Sequence, residues 1–439
     1  MSLLEYLQKA PDKSVATLEE SQHFQQKLRL RDALYQRLSS ERIASLLSSD
    51  KGYAEREITA VLEQLFLDPA YQLQGITQRF ALIQEVLNLV VGFGPLESLL
   101  SDQTVSEIMV NGHNKVFFER DGCLHESDVM FDDEQQLRLV IDRIVGPLGR
   151  RVDEQCPLVS ARLPQGHRVN VVIPPLSLDG PILTIRKFRD EAFTLAELVD
   201  IGSLDNQIAT LLRWAVLTRK NIAVSGGTGG GKTTLLNALS AEIPSNERII
   251  TIEDAAELRF KTHPHVVRLE SRMKNIEGSG EVSIRDLVVN ALRMRPDRIV
   301  VGECRGAEAL DMLQAMNTGH DGSLTTLHAN SPADVVARLI MMVRYGMDLP
   351  IKVIEEQIGS ALDLIVQIDR FADGKRRITQ LCSCQSRQGS IELETLVEWD
   401  MNSRSFVWKA VPSWIDTLSQ YPSVTIEEVL AWHSVLHLS

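Results

Sequence analysis

The fold class of this chain follows from one segment, Ser225-Gly-Gly-Thr-Gly-Gly-Gly-Lys-Thr-Thr-Leu-Leu236. Glycines at positions 226 and 231 bracket four residues, and lysine and threonine follow them, which is the spacing of a loop that binds nucleotide phosphates. Glycine lets the backbone curl until successive N–H groups point at phosphate oxygens. An apolar strand, Ile222-Ala223-Val224, precedes the loop, and an apolar helix follows it. The segment therefore predicts an α/β domain that binds a nucleotide, and this context argues against a flexible loop without a ligand.

Each part of this loop has an expected role. Lys232 should begin the helix, whose positive end faces the same anion, and should reach the β- and γ-phosphates. Thr233 should offer its hydroxyl group to a magnesium ion, so ATP and Mg²⁺ are the predicted cofactors. The residues expected to bind ATP are Gly226, Gly227, Thr228, Gly229, Gly230, Gly231, Lys232, Thr233 and Thr234.

Hydrolysis of the nucleotide needs carboxylates that hold magnesium and orient water. Two apolar segments end in such residues, Ile249-Ile-Thr-Ile-Glu253-Asp254 and Arg298-Ile-Val-Val-Gly302-Glu303. In parallel sheets, ligands bind at these strand ends. We expect Glu303 to be the catalytic carboxylate and Glu253 to position the water or the metal, both contacting magnesium through water; the sequence leaves the division of roles open. Helix caps and a surface acid are the structural alternatives.

A histidine follows a further apolar segment, Ser323-Leu-Thr-Thr-Leu327-His328. A histidine at a strand end beside the nucleotide can sense the γ-phosphate through a hydrogen bond, and we expect this role for His328. His320, before the same segment, is a weaker candidate. A lone histidine is more often structural, but the position of His328 in the layer of the acids favours the functional interpretation.

Composition and charge narrow the possible partners. The chain has 439 residues and a formal net charge of -13, and the acidic residues are spread along it without a basic stripe. We therefore expect no nucleic-acid partner. The chain contains no apolar run of about 18 residues, and its start, with Glu5 and no basic cluster, predicts a mobile leader over residues 1–20 rather than a signal peptide. We predict a cytoplasmic protein that reaches a membrane only through partners.

Five cysteines, an odd number without disulfide spacing, fit a reducing compartment. Cys382 and Cys384 form a Cys-x-Cys pair that lacks the spacing and the second pair of a zinc ribbon. We interpret both as ordinary strand residues.

Three regions follow from periodicity and turn residues: residues 1–90 form a helical N-terminal extension with its helices over 22–90, residues 91–190 form a small α+β domain, and residues 191–439 form a RecA-like ATPase domain in which strands and helices alternate in a βαβ pattern. A linker is expected near 189–193, and short β runs over 371–439. The predicted helices are 76–91, 134–145 and 425–437; the predicted strands are 107–110, 115–119, 168–173, 182–188, 221–225, 248–252, 298–301 and 323–327.

The nucleotide loop, the two acidic strand ends and the His328 segment, in this order, resemble the conserved boxes of the secretion ATPase superfamily, which powers type II secretion, type IV pili and type IV secretion. Gly302 stands where most phosphate-loop enzymes have the magnesium aspartate, and Gly302-Glu303 is the usual form of this superfamily. Further segments resemble the CpaF/TadA branch, the motors of tight-adherence (Flp) pili: Gly94-Pro-Leu96, Ile108-Met-Val-Asn-Gly112, Thr184-Ile-Arg-Lys-Phe188, His263-Pro-His-Val-Val-Arg-Leu-Glu270 and Ala291-Leu-Arg-Met-Arg-Pro-Asp297. The similarity covers residues 85–370. Gly230 departs from it, because this position is usually Ser or Ala.

The resemblance implies a homo-hexameric ATPase motor with a RecA-like ATPase domain, an α+β N-terminal domain above the ATP and a helical N-terminal extension. It also implies that Arg168 and Arg186 of the N-terminal domain reach the phosphates, with Arg162 a third candidate. Arg268 and Arg272 are further candidates, whereas Arg305 is expected to pair with a neighbouring acid. The partners would be inner-membrane platform proteins, which makes the protein peripheral to that membrane.

Several alternatives stay open. A type IV secretion ATPase that exports DNA or effectors is the neighbouring possibility. A RecA-like DNA translocase would need a basic channel, which the even acidity disfavours. A scaffold that binds nucleotide without turnover is disfavoured by the presence of both Glu253 and Glu303.

Overall fold

The computed structural model describes residues 26–436, except 28, 40–41, 44–45, 47–50, 72–75, 147–150, 164, 189–191, 261–262, 273–278 and 388. The leader predicted over 1–20 and most of the linker predicted at 189–193 lie outside the described residues. The chain divides into two compact units, Met1–Phe188 and Arg189–Ser439. In the described part of the chain, no helix is long and apolar enough to cross a lipid bilayer.

The first unit begins with helices that bury leucine and isoleucine at helical spacing. Its named helices are α1 Lys51–Leu65, α2 Ile76–Val90, α3 Glu97–Ser101 and α4 Glu134–Val145. Ile58 and Leu62 of α1 pack with Val86 of α2, and all three are fully buried. The predicted helices over 76–91 and 134–145 are thus confirmed, the second with Asp133 as the N-cap that accepts from the Gln136 backbone N–H.

The first unit also contains a six-stranded sheet, and α4 lies between its third and fourth strands in the chain. Its strands are β1 Val105–Asn111, β2 Val116–Arg120, β3 Cys123–Glu126, β4 Leu158–Arg162, β5 Arg168–Val172 and β6 Ile182–Arg186. They lie in the order β3-β2-β1-β6-β5-β4, and every neighbouring pair is antiparallel. The four predicted strands correspond to β1, β2, β5 and β6. The edge strands β3 and β4 are absent from the prediction because most of their residues are solvent-accessible and lack a clear apolar alternation.

The second unit contains nine strands that form one sheet. They are β7 Ile222–Ser225, β8 Ile249–Glu253, β9 Val266–Glu270, β10 Arg298–Val301, β11 Leu324–Leu327, β12 Leu364–Arg370, β13 Arg376–Arg387, β14 Ser390–Asp400 and β15 Ser405–Trp408. The order is β15-β14-β13-β12-β7-β11-β10-β8-β9. The six strands from β12 to β9 run parallel, whereas β13, β14 and β15 add antiparallel pairs.

Helices cover both faces of this sheet. They are α5 Leu195–Asp200, α6 Asn206–Leu217, α7 Lys232–Ala241, α8 Ile284–Ala291, α9 Glu308–Asn317, α10 Pro332–Gly346, α11 Ile351–Ala361 and α12 Ile426–Ser434. Ile222 and Val224 of β7 pack in one core with α6 and α7, while Ala223 packs in a second core with α9, α10 and α11. The predicted βαβ architecture and parallel sheet are confirmed.

The C-terminal region corrects one expectation. In place of short β runs over 371–439, β13 and β14 are strands of 12 and 11 residues that extend the same sheet. The turn residues Asp373-Gly374 connect β12 to β13, with Gly374 at φ 79°. Cys382 and Cys384 lie in β13 and are buried, and burial raises the pKa of Cys384 to about 12. Their interpretation as strand residues is confirmed.

Candidate nucleotide-binding site

Four strands end at the same edge of the parallel sheet, and each carries a predicted site residue there. β7 leads into the glycine loop, β8 ends on Glu253, β10 is followed by Gly302-Glu303, and β11 is followed by His328. Neighbouring parallel strands keep these ends level, with Val301 beside Ile252 and Leu327 beside Ser225. The sheet topology therefore brings the acids and the histidine to the loop.

The glycine loop folds around the side chain of Lys232. Its Nζ atom donates to the carbonyl oxygens of Gly226 at 3.1 Å and Gly227 at 2.8 Å. Gly229 and Gly231 have φ angles of 70° and 100°, in the left-handed region that glycine adopts at low cost. Helix α7 begins at Lys232 as predicted, so its unpaired N–H groups face the loop.

A chain of polar contacts links the loop to the acid of β10. The Nζ atom of Lys232 lies 3.3 Å from Nδ1 of His328, and Nε2 of His328 lies 2.9 Å from Oε1 of Glu303. The other oxygen of Glu303, Oε2, accepts from Arg305 at 2.6 Å. His328 thus lies between the ammonium group of Lys232 and the carboxylate of Glu303, although Oε1 of Glu303 accepts no hydrogen bond in the described structure.

The ionisation states support this arrangement. Burial lowers the pKa of His328 and the charge of Lys232 lowers it further, while Glu303 opposes them. Burial raises the pKa of Glu303, but the hydrogen bond and charge of Arg305, with the charge of Lys232, outweigh burial and hold the pKa below its usual value. At neutral pH, Glu303 is thus a carboxylate and His328 is neutral.

Glu253 differs from Glu303 in its surroundings. It is 3% exposed, and its Oε1 accepts from the backbone N–H groups of Glu257 at 2.8 Å and Leu258 at 2.9 Å. Burial raises its pKa to about 7, although these hydrogen bonds and the charge of Arg268 oppose the rise. The two acids therefore hold their protons differently near neutral pH.

The position of Glu253 also explains Gly302. A Cβ atom at position 302 would stand 2.9 Å from Cγ of Glu253, closer than side-chain carbons approach one another. The strand β8 thus places the Glu253 side chain in the space that an aspartate at 302 would fill. A carboxylate from the neighbouring strand thus stands beside Gly302.

The available oxygens fit a magnesium ion. Mg²⁺ prefers carboxylate, hydroxyl and water oxygens. Glu253 offers a carboxyl group at the end of β8, and Thr233 offers a hydroxyl group directly after the loop. Oε2 of Glu253 is buried without a hydrogen-bond partner in the described structure, so it is a ready acceptor for a metal-bound water. Among the described residues, no group of three or more His, Cys, Asp or Glu side chains forms a metal site by itself.

Other candidates are placed as follows. Arg305 pairs with Glu303 and lies 3.6 Å from Asp254, which confirms its expected pairing with an acid. Arg272 donates from Nε to the Gly280 carbonyl at 2.6 Å, within its own loop. His320 precedes β11 and His328 follows it, so the strand separates His320 from the loop edge.

The predicted arginines of the first unit lie in one row of its sheet. Arg162 is opposite Arg168, and Arg168 is opposite Arg186, across the adjacent strands β4, β5 and β6. Glu107 continues the row on β1, opposite Arg186. Residues opposite each other in antiparallel strands share a face. The three arginines are predicted from the sequence one by one, and the strand register shows that they are aligned with one another.

Two arginines beside the loop are absent from the sequence prediction. Arg376 of β13 donates from Nε to the Gly229 carbonyl at 2.8 Å, and Nη1 of Arg370 lies 3.7 Å from the position of a Cβ at Gly229. The Asp373-Gly374 turn between apolar segments could have indicated a hairpin here. The sequence pattern could not show that this hairpin lies beside β7, because β12 and β7 are paired but are separated by 142 residues in the chain.

Residues 90–417 match the model of the protein family described as Type II/IV secretion system protein. The chain belongs to this family. A putative conjugal transfer protein of Mycobacterium tuberculosis is 37% identical to it over 328 residues, which cover 73% of this chain and 93% of that protein. The type IV secretion system protein PtlH of Bordetella pertussis is 35% identical over 310 residues, which cover 64% of this chain and 91% of that one.

The fold of this family member also resembles a solved structure. The ATPase DotB of Yersinia pseudotuberculosis is 19% identical, with a TM-score of 0.50 over 66% of this chain and 77% of that chain. This likeness concerns the fold. The predicted fold class, a RecA-like α/β ATPase domain preceded by an α+β domain and helices, is confirmed.

Proposed function

We propose that this chain hydrolyses ATP to ADP and phosphate and uses the energy to drive a secretion or pilus machine at the inner membrane. One observation carries the proposal: Lys232, His328 and Glu303 form a continuous polar chain from the glycine loop to an ionised carboxylate. Binding alone would need only the loop, whereas a carboxylate held ionised beside it suits hydrolysis.

The residues divide the reaction between them. Backbone N–H groups of the loop and the start of α7 hold the phosphates, and Lys232 leaves its carbonyl partners to contact the β- and γ-phosphates. When bound, Mg²⁺ would neutralise the charge that develops between these phosphates. Glu303 orients the attacking water and accepts its proton, and Oε2 of Glu253 would help to hold the ion through a water. His328 lies between Glu303 and Lys232, so its contacts change when Lys232 moves to the γ-phosphate.

The arginine row of the first unit, Arg162, Arg168 and Arg186, supplies further charge to the reaction. Their register places three positively charged side chains side by side, which suits a polyanion such as a triphosphate. Arginine suits this role because its charge is permanent and its fork matches phosphate oxygens. In a homo-hexameric ring, which resemblance to the secretion ATPases implies, Arg168 and Arg186 would reach the phosphates.

Two membrane machines are candidates for the system that this ATPase would drive. The segments Ile108-Met-Val-Asn-Gly112 and Thr184-Ile-Arg-Lys-Phe188 resemble motors of tight-adherence (Flp) pili, which favours a pilus platform protein in the inner membrane as partner. The similarity to a type IV secretion system protein and to a putative conjugal transfer protein favours a type IV secretion machine instead. The net charge of -13 disfavours a motor that moves along DNA.

A trapping experiment separates these candidates. The variant Glu303→Gln, produced in the native host, should hold ATP without hydrolysing it and so remain bound to its membrane partner. Crosslinking, purification and mass spectrometry then identify that partner. A pilus platform protein supports the first candidate and a type IV secretion channel the second. Recovery of no membrane protein, with the variant folded and nucleotide-loaded, would contradict the motor function.

A further inference from the structure

The glycine loop of this chain has little conformational restraint of its own. Five of the six residues from Gly226 to Gly231 are glycine, and Gly229 and Gly231 have positive φ angles. Glycine reverses the direction of a peptide group at low cost. A carbonyl oxygen that turns inward would face the phosphates and repel them. A loop of this composition therefore needs groups outside it to hold its carbonyls outward.

Lys232 cannot hold the loop throughout the reaction. Its Nζ atom bonds the carbonyls of Gly226 and Gly227 in this structure, but the same ammonium group is needed at the phosphates when ATP is bound. An ammonium group has three N–H donors, so each hydrogen bond that Lys232 makes to a phosphate leaves one donor fewer for the loop carbonyls. The restraint that remains with ATP bound has to come from another part of the chain.

The hairpin of β12 and β13 lies against the outer side of the loop. A side chain at Gly226 would overlap the carbonyl oxygen of Ile368, and a Cβ at Gly230 would stand 3.0 Å from the same oxygen. On β13, the Nε–H group of Arg376 donates to the Gly229 carbonyl at 2.8 Å. The Cδ atom of Arg376 also lies 3.1 Å from the Cβ position of Gly231. The hairpin therefore contacts the loop in two ways, through the backbone of Ile368 and through a hydrogen bond from Arg376.

The same hairpin holds the His328 segment. Gln367 of β12 is 2% exposed; its Oε1 accepts from Ser225 Oγ at 2.5 Å and its Nε2 donates to the Ala329 carbonyl at 3.3 Å. Ser225 directly precedes the loop, and Ala329 directly follows His328. β12 is therefore a fixed support on which the loop and the histidine keep their spacing.

We propose that Arg376 is a positioning residue of the nucleotide site: its Nε–H group holds the Gly229 carbonyl outward, so that the neighbouring N–H groups face the phosphates. This inference rests on the proposed ATP binding by Gly226–Thr234 and adds a residue of β13 to it. Arg376 acts through the loop and takes no part in the attack of water. Its loss is expected to weaken phosphate binding with little effect on the reaction of ATP once bound.

The test compares Arg376→Met and Arg376→Lys in the full-length chain. Steady-state hydrolysis gives kcat and KM, calorimetry with magnesium ADP gives Kd, and thermal unfolding reports folding. We expect both variants to raise KM and Kd by about tenfold, the effect of one hydrogen bond, and to change kcat by less than about twofold. Lysine restores the charge without the Nε–H group, so it should not restore binding. Arg387→Met and Arg387→Lys, on the same strand but in a surface pair with Glu392, are the matched controls.

Three outcomes would overturn the inference. The first is wild-type KM and Kd in both Arg376 variants. The second is wild-type KM and Kd in Arg376→Lys alone, which would assign the effect to charge, and the third is a fall in kcat with unchanged KM, which would indicate general disruption. If Arg376→Met does not fold, the lysine variant carries the test. Lys232→Ala, measured alongside, separates this inference from the proposed function. Loss of binding there with none in the Arg376 variants contradicts only the role of Arg376.

Discussion

The two units of this chain arrange charge in opposite ways. At the loop edge of the second unit, positive and negative groups alternate: Lys232, His328, Glu303 and Arg305 follow one another within hydrogen-bond distance. In the first unit, three arginines stand in register on adjacent strands, and Glu107 is the next residue of the row.

This difference indicates a division of labour. In the second unit, each of these groups has a polar or oppositely charged neighbour. The row of the first unit places three arginines side by side, with Glu107 next to them. We infer that the second unit binds ATP and performs the chemistry, and that the first unit contributes charge to the transition state.

The largest effect is expected when the chemistry of the second unit is removed. Glu303→Gln keeps the shape and the contact with His328 but removes the proton acceptor, so hydrolysis should fall by about 10²–10⁴-fold while ATP still binds. The measurement pairs steady-state turnover with calorimetric titration of ATP. Glu392→Gln, the same change at an exposed pair on β14, should have no effect. If ATP binding is lost with turnover, Glu303 is structural and the division of labour fails.

Removing charge from the first unit should affect turnover without affecting the fold. Arg168→Ala and Arg186→Ala should each reduce kcat by about 100-fold, as loss of one donor to a developing charge does. Thermal unfolding of each variant reports whether the fold is retained. Arg120→Ala, which removes the pair with Asp102 in the same sheet, is the control. Wild-type turnover in both row variants would leave the row without a part in the reaction.

The third effect is on stability rather than turnover and concerns Glu253 and pH. Because its pKa in the folded chain is raised from 4.5 to about 7, the folded state holds this proton more tightly than the unfolded state does. Folding therefore loses stability as pH rises from about 4.5 to 7, by about 3 kcal/mol from this group. Glu253→Gln cannot ionise, so its free energy of unfolding relative to wild type should increase over that interval. Denaturant titrations of both nucleotide-free proteins at several pH values measure the difference, and parallel pH profiles would contradict it.

The sequence predicted features with local causes. The loop follows from the spacing of Gly226, Gly231 and Lys232, and the acids and histidine follow from apolar runs that end in polar residues. A parallel sheet then brings those ends together. The α/β class, four of the six strands of the first sheet and four of the nine strands of the second could be predicted in this way.

Features with long-range causes were missed. The reason for Gly302 is the side chain of Glu253 on the next strand. Arg376 bonds a residue 147 positions away, and the arginine row depends on strand register. The sequence predicts only short β runs in place of the long strands β13 and β14. Buried and partly exposed residues follow one another at uneven intervals in these strands, which weakens the period-two pattern.

The central claim is that ATP binds at Gly226–Thr234 of the second unit. Calorimetric titration of Lys232→Ala with magnesium ATP tests it most directly, since this variant removes the one side chain expected at the β- and γ-phosphates, with thermal unfolding as proof of folding. We predict that the variant shows no binding at ATP concentrations that saturate the wild type, and no turnover. A folded Lys232→Ala protein that binds ATP with wild-type affinity would contradict the account.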